Sequence, residues 1–165
     1  MRWVIWIAAS LVVVIALITA IGYMLPKAHR VTRIAKTALP RDAVYAILTD
    51  VDNYPSWRPG LKSLARQPDR DGKPAWIEDA SGNTMPFTFE RMERASLLVT
   101  RITDPSLPFG GTWTYRIVPD GSGSAVTITE DGEVSNPIFR FMSRFVFGHA
   151  ATLDGFVRDL EARAR

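Results

Sequence analysis

From Trp3 to Leu25 the chain runs through 23 consecutive residues without a charge, mostly Ile, Val, Leu, Ala and Trp. At about 1.5 Å of rise per residue, a helix of that length covers the roughly 30 Å hydrocarbon core of a bilayer. Two other readings compete with a membrane anchor. A cleaved signal peptide carries an apolar run of about 7 to 15 residues ending in a small-x-small site; here the run is longer, and the one weak candidate, Ala20-Ile21-Gly22, is followed by the bulky Tyr23. A buried core helix would show a polar stripe, whereas only Ser10 and Thr19 interrupt this one. The pattern favours a transmembrane anchor over residues 1–26, with Trp3, Trp6 and Tyr23 near its two ends, where aromatic rings favour the headgroup zone, and Pro26 as a stop.

The remaining chain, residues 27–165, is about 139 residues without a repeat, the size of one globular domain. Its charge is uneven. Lys27, Arg30, Arg33, Lys36 and Arg41 crowd the C-terminal flank of the apolar run before the first acid, Asp42, while the other flank has only Arg2 and the α-amino group. By the positive-inside rule this single-pass protein exposes its soluble domain to the cytoplasm. With six basic residues up to Arg41, 14 of the 20 Lys and Arg remain beyond it, against all 17 acids. The excess of positive charge is therefore juxtamembrane, and Lys27, Arg30, Arg33 and Lys36 suit anionic lipid headgroups rather than nucleic acid. The chain has no cysteine, which excludes disulfides, thiol nucleophiles and thiolate metal sites.

Val31 to Leu39 alternates as a first strand, and Pro40 opens a helix whose apolar stripe is Ala43, Val44, Ile47 and Leu48. Asp50 to Pro59 is broken by proline and reads as a short connection. Six strands follow, over residues 61–67, 75–79, 85–92, 97–103, 112–118 and 125–134, the last two joined by a loop over 119–124. In that hairpin Trp113, Tyr115 and Ile117 share one face with Val126, Ile128 and Glu130, while Thr112, Thr114, Arg116, Thr127 and Thr129 take the other. From Pro137 to Ala164 the period becomes helical, with Phe141, Phe145, Thr152, Phe156 and Leu160 near one face and Gly148 marking a bend. Phe139, Val146 and Phe147 fall off that stripe, facing either the bilayer or neighbouring loops. The expected fold is α+β: a curved antiparallel sheet wrapped around one long C-terminal helix, preceded by one transmembrane helix.

The stretch Asp50-Val51-Asp52-Asn53-Tyr54-Pro55-Ser56-Trp57-Arg58-Pro59-Gly60, following a strand and a Pro-Arg-Asp-Ala-Val-Tyr-Ala-Ile-Leu helix, resembles the opening of the START-like or Bet v 1-like helix-grip superfamily, the polyketide cyclase/dehydrase and lipid-transport proteins. Gly111 to Tyr115, Thr127 to Glu130 and the aromatic C-terminal helix fall where that superfamily has them, so the resemblance covers about residues 31–164. It implies a deep cavity between the concave sheet and the long helix, used for lipids, sterols, quinones, polyketides and hormones. It implies catalysis only in some branches, and carries no catalytic motif over to particular positions here.

Two residues are candidates for acid–base chemistry. Glu130, in register with Val126 and Ile128, places a carboxylate on the cavity side, where burial raises its proton affinity; its blander reading is an ion pair with an Arg at the mouth. His149 reads as the only histidine in the folded domain, on the closing helix, with His29 beside the membrane; a lone helical histidine is more often merely packed or solvated. With His29 as its only companion and no cysteine, no metal-site spacing is visible, and no cofactor is called for. Trp57, Trp76, Phe87, Phe89, Trp113, Tyr115, Phe141 and Phe145 are candidates, with Glu130 and His149, to contact a ligand, although each is equally what a core needs. The Gly121–Ser124 segment joins two strands and has no following helix or lysine, unlike a phosphate-cradling loop. Three functions follow: a membrane-tethered binding or transfer module for a hydrophobic small molecule or lipid; a cyclase or dehydratase; or an interaction module presenting loops 50–60 or 81–85.

Overall fold

The computed structural model describes residues 2–80, 82–148 and 150–165. The first helix, α1, spans Arg2–Met24. An 18-residue window of it has a mean hydropathy of 2.9, is not buried against the rest of the protein, and is long and apolar enough to cross a membrane. That excludes the core-helix reading; a membrane span and a signal sequence share this length and composition.

Seven antiparallel strands make one sheet in the order β1-β7-β6-β5-β4-β3-β2: β1 Ala28–Thr37, β2 Ser63–Arg70, β3 Lys73–Ala80, β4 Asn83–Glu93, β5 Leu97–Ile102, β6 Phe109–Asp120 and β7 Gly123–Val134. Between β1 and β2 lie α2, Arg41–Thr49, a 3₁₀ turn over Val51–Asn53 and a four-residue helix α3, Tyr54–Trp57. The expected hairpin is present, with Trp113 opposite Glu130, Tyr115 opposite Ile128 and Ile117 opposite Val126. Its connection is tighter than the six-residue loop the composition suggests. Pro119 pairs with Ser124 and Asp120 with Gly123, leaving a two-residue turn in which Gly121 takes a positive φ of 61°.

The closing helix is the main departure from expectation. It is not one helix from Pro137 to Ala164 but α4, Pro137–Met142, a π turn over Ser143–Phe147, and α5, Ala151–Arg163. Gly148 has φ +75°, which a right-handed helix cannot carry, so the chain turns there and the helical phase restarts. Phe141 and Phe145 consequently leave the stripe that Phe156 and Leu160 continue.

The packed core occupies one end of the sheet. Val44 and Leu48 of α2 and Leu153 and Leu160 of α5 pack with Ala35, Leu98, Ile117, Val126 and Ile128, all fully or nearly fully buried. The C-terminus is tied down there by the Ala38 amide donating to the Ala164 carbonyl at 3.2 Å. Arg33 of β1 donates to Asp154 of α5 at 2.6 Å. At the other end of the sheet α1 packs on α4. Gly22 is buried against Pro137 so closely that any Cβ there would run into the proline carbonyl. Arg140, despite its charge, is buried beneath this junction, donating to the carbonyls of Leu25 and Ser135, each at 3.0 Å. Its guanidinium carbon lies 6.0 Å from the Tyr23 ring centroid.

Candidate functional site

Between the concave face of the sheet and the closing helices lies a cavity of about 510 Å³, within the range of small-molecule sites. Its walls come from one end of every strand from β3 to β7 and the start of β1: Trp76, Glu78 and Ala80, then Met85 and Phe87, Thr100 and Ile102, Phe109, Gly110, Trp113 and Tyr115, Glu130, Glu133 and Val134, and His29. Because neighbouring strands run antiparallel, these ends lie together, and they are the end from which α1 departs. Tyr54, Arg58 and Leu61 close one side, and Phe139, Ser143, Gly148, Leu153, Phe156 and Asp159 form the cover.

Five of the sequence candidates line this space: Trp76, Phe87, Trp113, Tyr115 and Glu130. Three of them form a continuous aromatic wall, Trp76 stacked on Phe87 at 5.8 Å and Phe87 edge-on to Trp113 at 5.7 Å, yet they do not fill the cavity. Four candidates lie elsewhere. Phe89 is fully buried behind Trp76, ring centroids 4.9 Å apart, as a core residue. Trp57 packs edge-on against Tyr54 and Phe156 outside the lining. Phe141 and Phe145 pair with each other at 4.9 Å, and Phe145, at 60 % exposure, faces outward because the π turn rotates it off the cavity side. His149 lies outside the described residues, as does Ser81 of the 81–85 loop.

Two ionic arrangements face the cavity, and neither is a simple Glu130–Arg pair. Arg58 makes a two-pronged bridge to Glu78, at 2.8 and 2.9 Å, and Trp76 Nε1 donates to the same Glu78 Oε1 at 3.0 Å. The guanidinium is sandwiched by aromatic faces, 5.0 Å from Tyr54 and 5.3 Å from Phe156. Burial disfavours its charge, but the hydrogen bonds and the negative charge of Glu78 outweigh that and hold Arg58 more firmly protonated than usual. In the second arrangement His29 Nε2 approaches Glu130 Oε1 at 3.3 Å. Its strand partner Gly132 makes this possible, since a Cβ there would collide with the imidazole. Glu130 Oε2 is buried with no hydrogen-bond partner among the described residues.

Sequence reasoning missed Arg58, Glu78 and His29. Starting the first strand at Val31 left His29 in a linker, although it has the same parity as Val31 and Ala35, and the strand begins at Ala28. Glu78 shares the face of Trp76 two residues before it, a signal available from alternation. The basic cluster also changes character: Arg30 pairs with Asp131, Arg33 with Asp154 and Lys36 with Asp120. These acids draw down the net charge offered to anionic headgroups, whereas the orientation argument counts Lys and Arg whatever their partners.

Tyr54 and Tyr115 are held in the same buried region, the Tyr54 hydroxyl donating to the Leu48 carbonyl at 2.6 Å. Burial pushes both phenols above their ordinary value of 10.0, so the folded protein keeps these protons at a pH where the unfolded chain has lost them. Stability is therefore expected to be unaffected by these groups below pH 10 and to fall above it, by about 1.4 kcal/mol per pH unit for each tyrosine. Denaturant titrations from pH 9 to 11 check this, Tyr115→Phe being expected to remove about half of the slope; an equal slope in that variant overturns the assignment.

The sequence matches the profile of the family described as polyketide cyclase/dehydrase and lipid transport over residues 28–165. The chain belongs to that family. Among solved structures it is similar to a START superfamily protein from Mycobacterium smegmatis (TM-score 0.66, 20 % identity, covering 82 % of this chain and 97 % of that one). It also resembles norcoclaurine synthase from Thalictrum flavum (TM-score 0.64, 12 % identity, 82 % and 86 %). A third likeness is to the di-domain ARO/CYC StfQ of the steffimycin biosynthetic pathway (TM-score 0.66, 17 % identity, 83 % of this chain). The chain spans about half, 51 %, of that protein's length. No curated protein matches the sequence. At these identities the structural likenesses establish the helix-grip fold, seven strands curved against the closing helix, and the family establishes a domain of the hydrophobic ligand-binding or cyclase-like kind.

Proposed function

We propose that this protein is a membrane-tethered module that binds or transfers a hydrophobic small molecule or lipid, held in the cavity between the sheet and α5. The observation that carries the reading is the 510 Å³ cavity, walled by Trp76, Phe87, Ile102, Phe109, Trp113 and Leu153 and left open by side chains that could have filled it. Apolar burial at roughly 25 cal/mol per Å² supplies the affinity, and a few polar groups set orientation. A retained span over residues 1–26, followed by the helix-grip domain 27–165, is supported by the docking of α1 on α4 through Gly22 and Arg140. The tether fits the cavity's position: the lined strand ends are the ones nearest α1, so a ligand dissolved in the bilayer is concentrated beside them. Ile138, Phe139, Phe145 and Val146, exposed on α4 and the π turn beside that junction, suit contact with lipid. Under the positive-inside rule the domain then lies in the cytoplasm.

The full chain, extracted in a mild detergent, is expected to carry an amphiphile recoverable by native mass spectrometry. Gly155→Phe is expected to remove it, reducing occupancy at least tenfold without loss of folding. Gly155 lines the cavity on α5, an added Cβ there meets nothing nearer than Arg158 Nη2 at 3.8 Å, and replacing a helical glycine favours the helix. Equal occupancy in the variant, or none in the parent, overturns the reading. A second reading is favoured by the His29–Glu130 pair, an acid–base combination of the sort a cyclase or dehydratase uses. In that case an added hydroxy-ketone amphiphile is recovered lighter by one water.

A further inference from the structure

The walls of the cavity carry four carboxylates, Glu78, Glu130, Glu133 and Asp159, against one guanidinium and one imidazole, Arg58 and His29. These do not cancel in place. Arg58 is fully engaged, both of its terminal nitrogens on Glu78. Glu133 and Asp159 have no ion-pair partner among the described residues. Glu130, which lines the cavity and is 9 % exposed, spends Oε1 on His29 and leaves Oε2 buried without a hydrogen-bond donor among the described residues. A buried carboxylate oxygen with no donor is expensive, and a low local dielectric amplifies both that penalty and the gain when a donor arrives. A fatty carboxylate would bring a further acceptor and a further negative charge to this place, and an alcohol would bring a donor without charge. A protonated amine supplies three donors and the opposite sign.

We propose that the cavity selects an amphiphile with a cationic amine head, seated with its ammonium on the Glu130 carboxylate and its apolar body along Trp113, Phe87 and Trp76. This rests on the cavity being a ligand site and adds the charge of the ligand. The acids at Glu133 and Asp159 extend the same negative potential along the lining, favouring the cation on its way in.

The test compares decylamine, decanol and decanoate on the full chain in one neutral detergent, by native mass spectrometry and by the fluorescence of the cavity tryptophans. Each ligand is compared between the parent and Glu130→Gln, so that partition into the micelle cancels. Decylamine is expected to lose at least tenfold in affinity in Glu130→Gln, decanol to change less than threefold, and decanoate to bind the variant better than the parent. Should Glu130→Gln fail to fold, Glu133→Gln combined with Asp159→Asn is expected to lower decylamine affinity about threefold and to spare decanol. Decylamine binding that is indifferent to these substitutions, or decanoate preferred by the parent, overturns the amine assignment while leaving the cavity reading intact. Failure of all three probes to bind the parent removes the cavity reading and this one with it.

Discussion

Glu78→Ala is expected to destabilise the folded domain by about 3–5 kcal/mol, and Arg58→Ala by a similar amount, as free energies of unfolding in denaturant for the full chain in detergent micelles. Glu78 is 4 % exposed, so removing Arg58 strands a carboxylate that water barely reaches, and removing Glu78 strands a guanidinium between two aromatic rings. Glu78→Ala also takes the acceptor from Trp76 Nε1, itself fully buried, which adds an unsatisfied donor. The double variant Arg58→Met, Glu78→Met is expected to recover most of the loss, because a buried ion pair replaced by apolar groups of similar volume is often neutral. Single variants that lose less than about 1 kcal/mol, or a double variant as weak as the sum of the singles, would show that this bridge is solvated and not a fixture of the cavity wall. The pair thus has a positional role: it holds Tyr54, Trp76 and Phe156 around the cavity while using up the one strong cation in the lining.

How far the sequence predicts these features depends on the range of the interaction that sets each one. Side-chain alternation has a period of two and needs only the local chain, so the shared face of Trp113, Tyr115, Ile117, Val126, Ile128 and Glu130 is readable, and cross-strand pairing places them opposite one another. The same rule applied within the expected strand 75–79 places Glu78 on the face of Trp76, and would have found His29 had the first strand been extended back to Ala28. Arg58 is different. It follows a four-residue helix, and its backbone at φ −109° and ψ 89° is neither helix nor regular turn, so its aim toward Glu78, 20 positions away, comes from tertiary packing. Phe141 and Phe145 went astray for a third reason. A helical stripe predicts facing only while the phase is kept, and the π turn together with the positive φ of Gly148 resets it between Phe145 and Phe156. Arg140 shows the converse. A charged side chain is ordinarily solvated, but the carbonyls of Leu25 and Ser135 at this chain junction take their donors from Arg140.

Gly22→Leu is expected to separate α1 from α4 without unfolding the sheet. The Pro137 carbonyl already occupies the space a Cβ would take, and backbone on both sides leaves no flexible side chain to yield. Small residues are what permit such close approach between a membrane-compatible helix and its neighbour. Overpacking at a tight contact costs about 1–3 kcal/mol, which lowers the docked population ratio by roughly 5- to 150-fold. Amide exchange reads this directly: the Arg140 amide, bonded to the Asn136 carbonyl at 3.0 Å within the first turn of α4, is expected to exchange faster by that factor, while amides in β5 and β6 keep their rates. Ala20→Leu, a change of similar size at an exposed position on the same helix, is expected to leave α4 protection as it was. Unchanged exchange in Gly22→Leu would mean that the junction adapts and that Arg140 alone holds it. Because Phe139 and Ser143 of the same segment cover the cavity, loosening this joint also frees the cover from α1, and ligand exchange with vesicles is expected to respond to Gly22→Leu although Gly22 touches no part of the cavity lining.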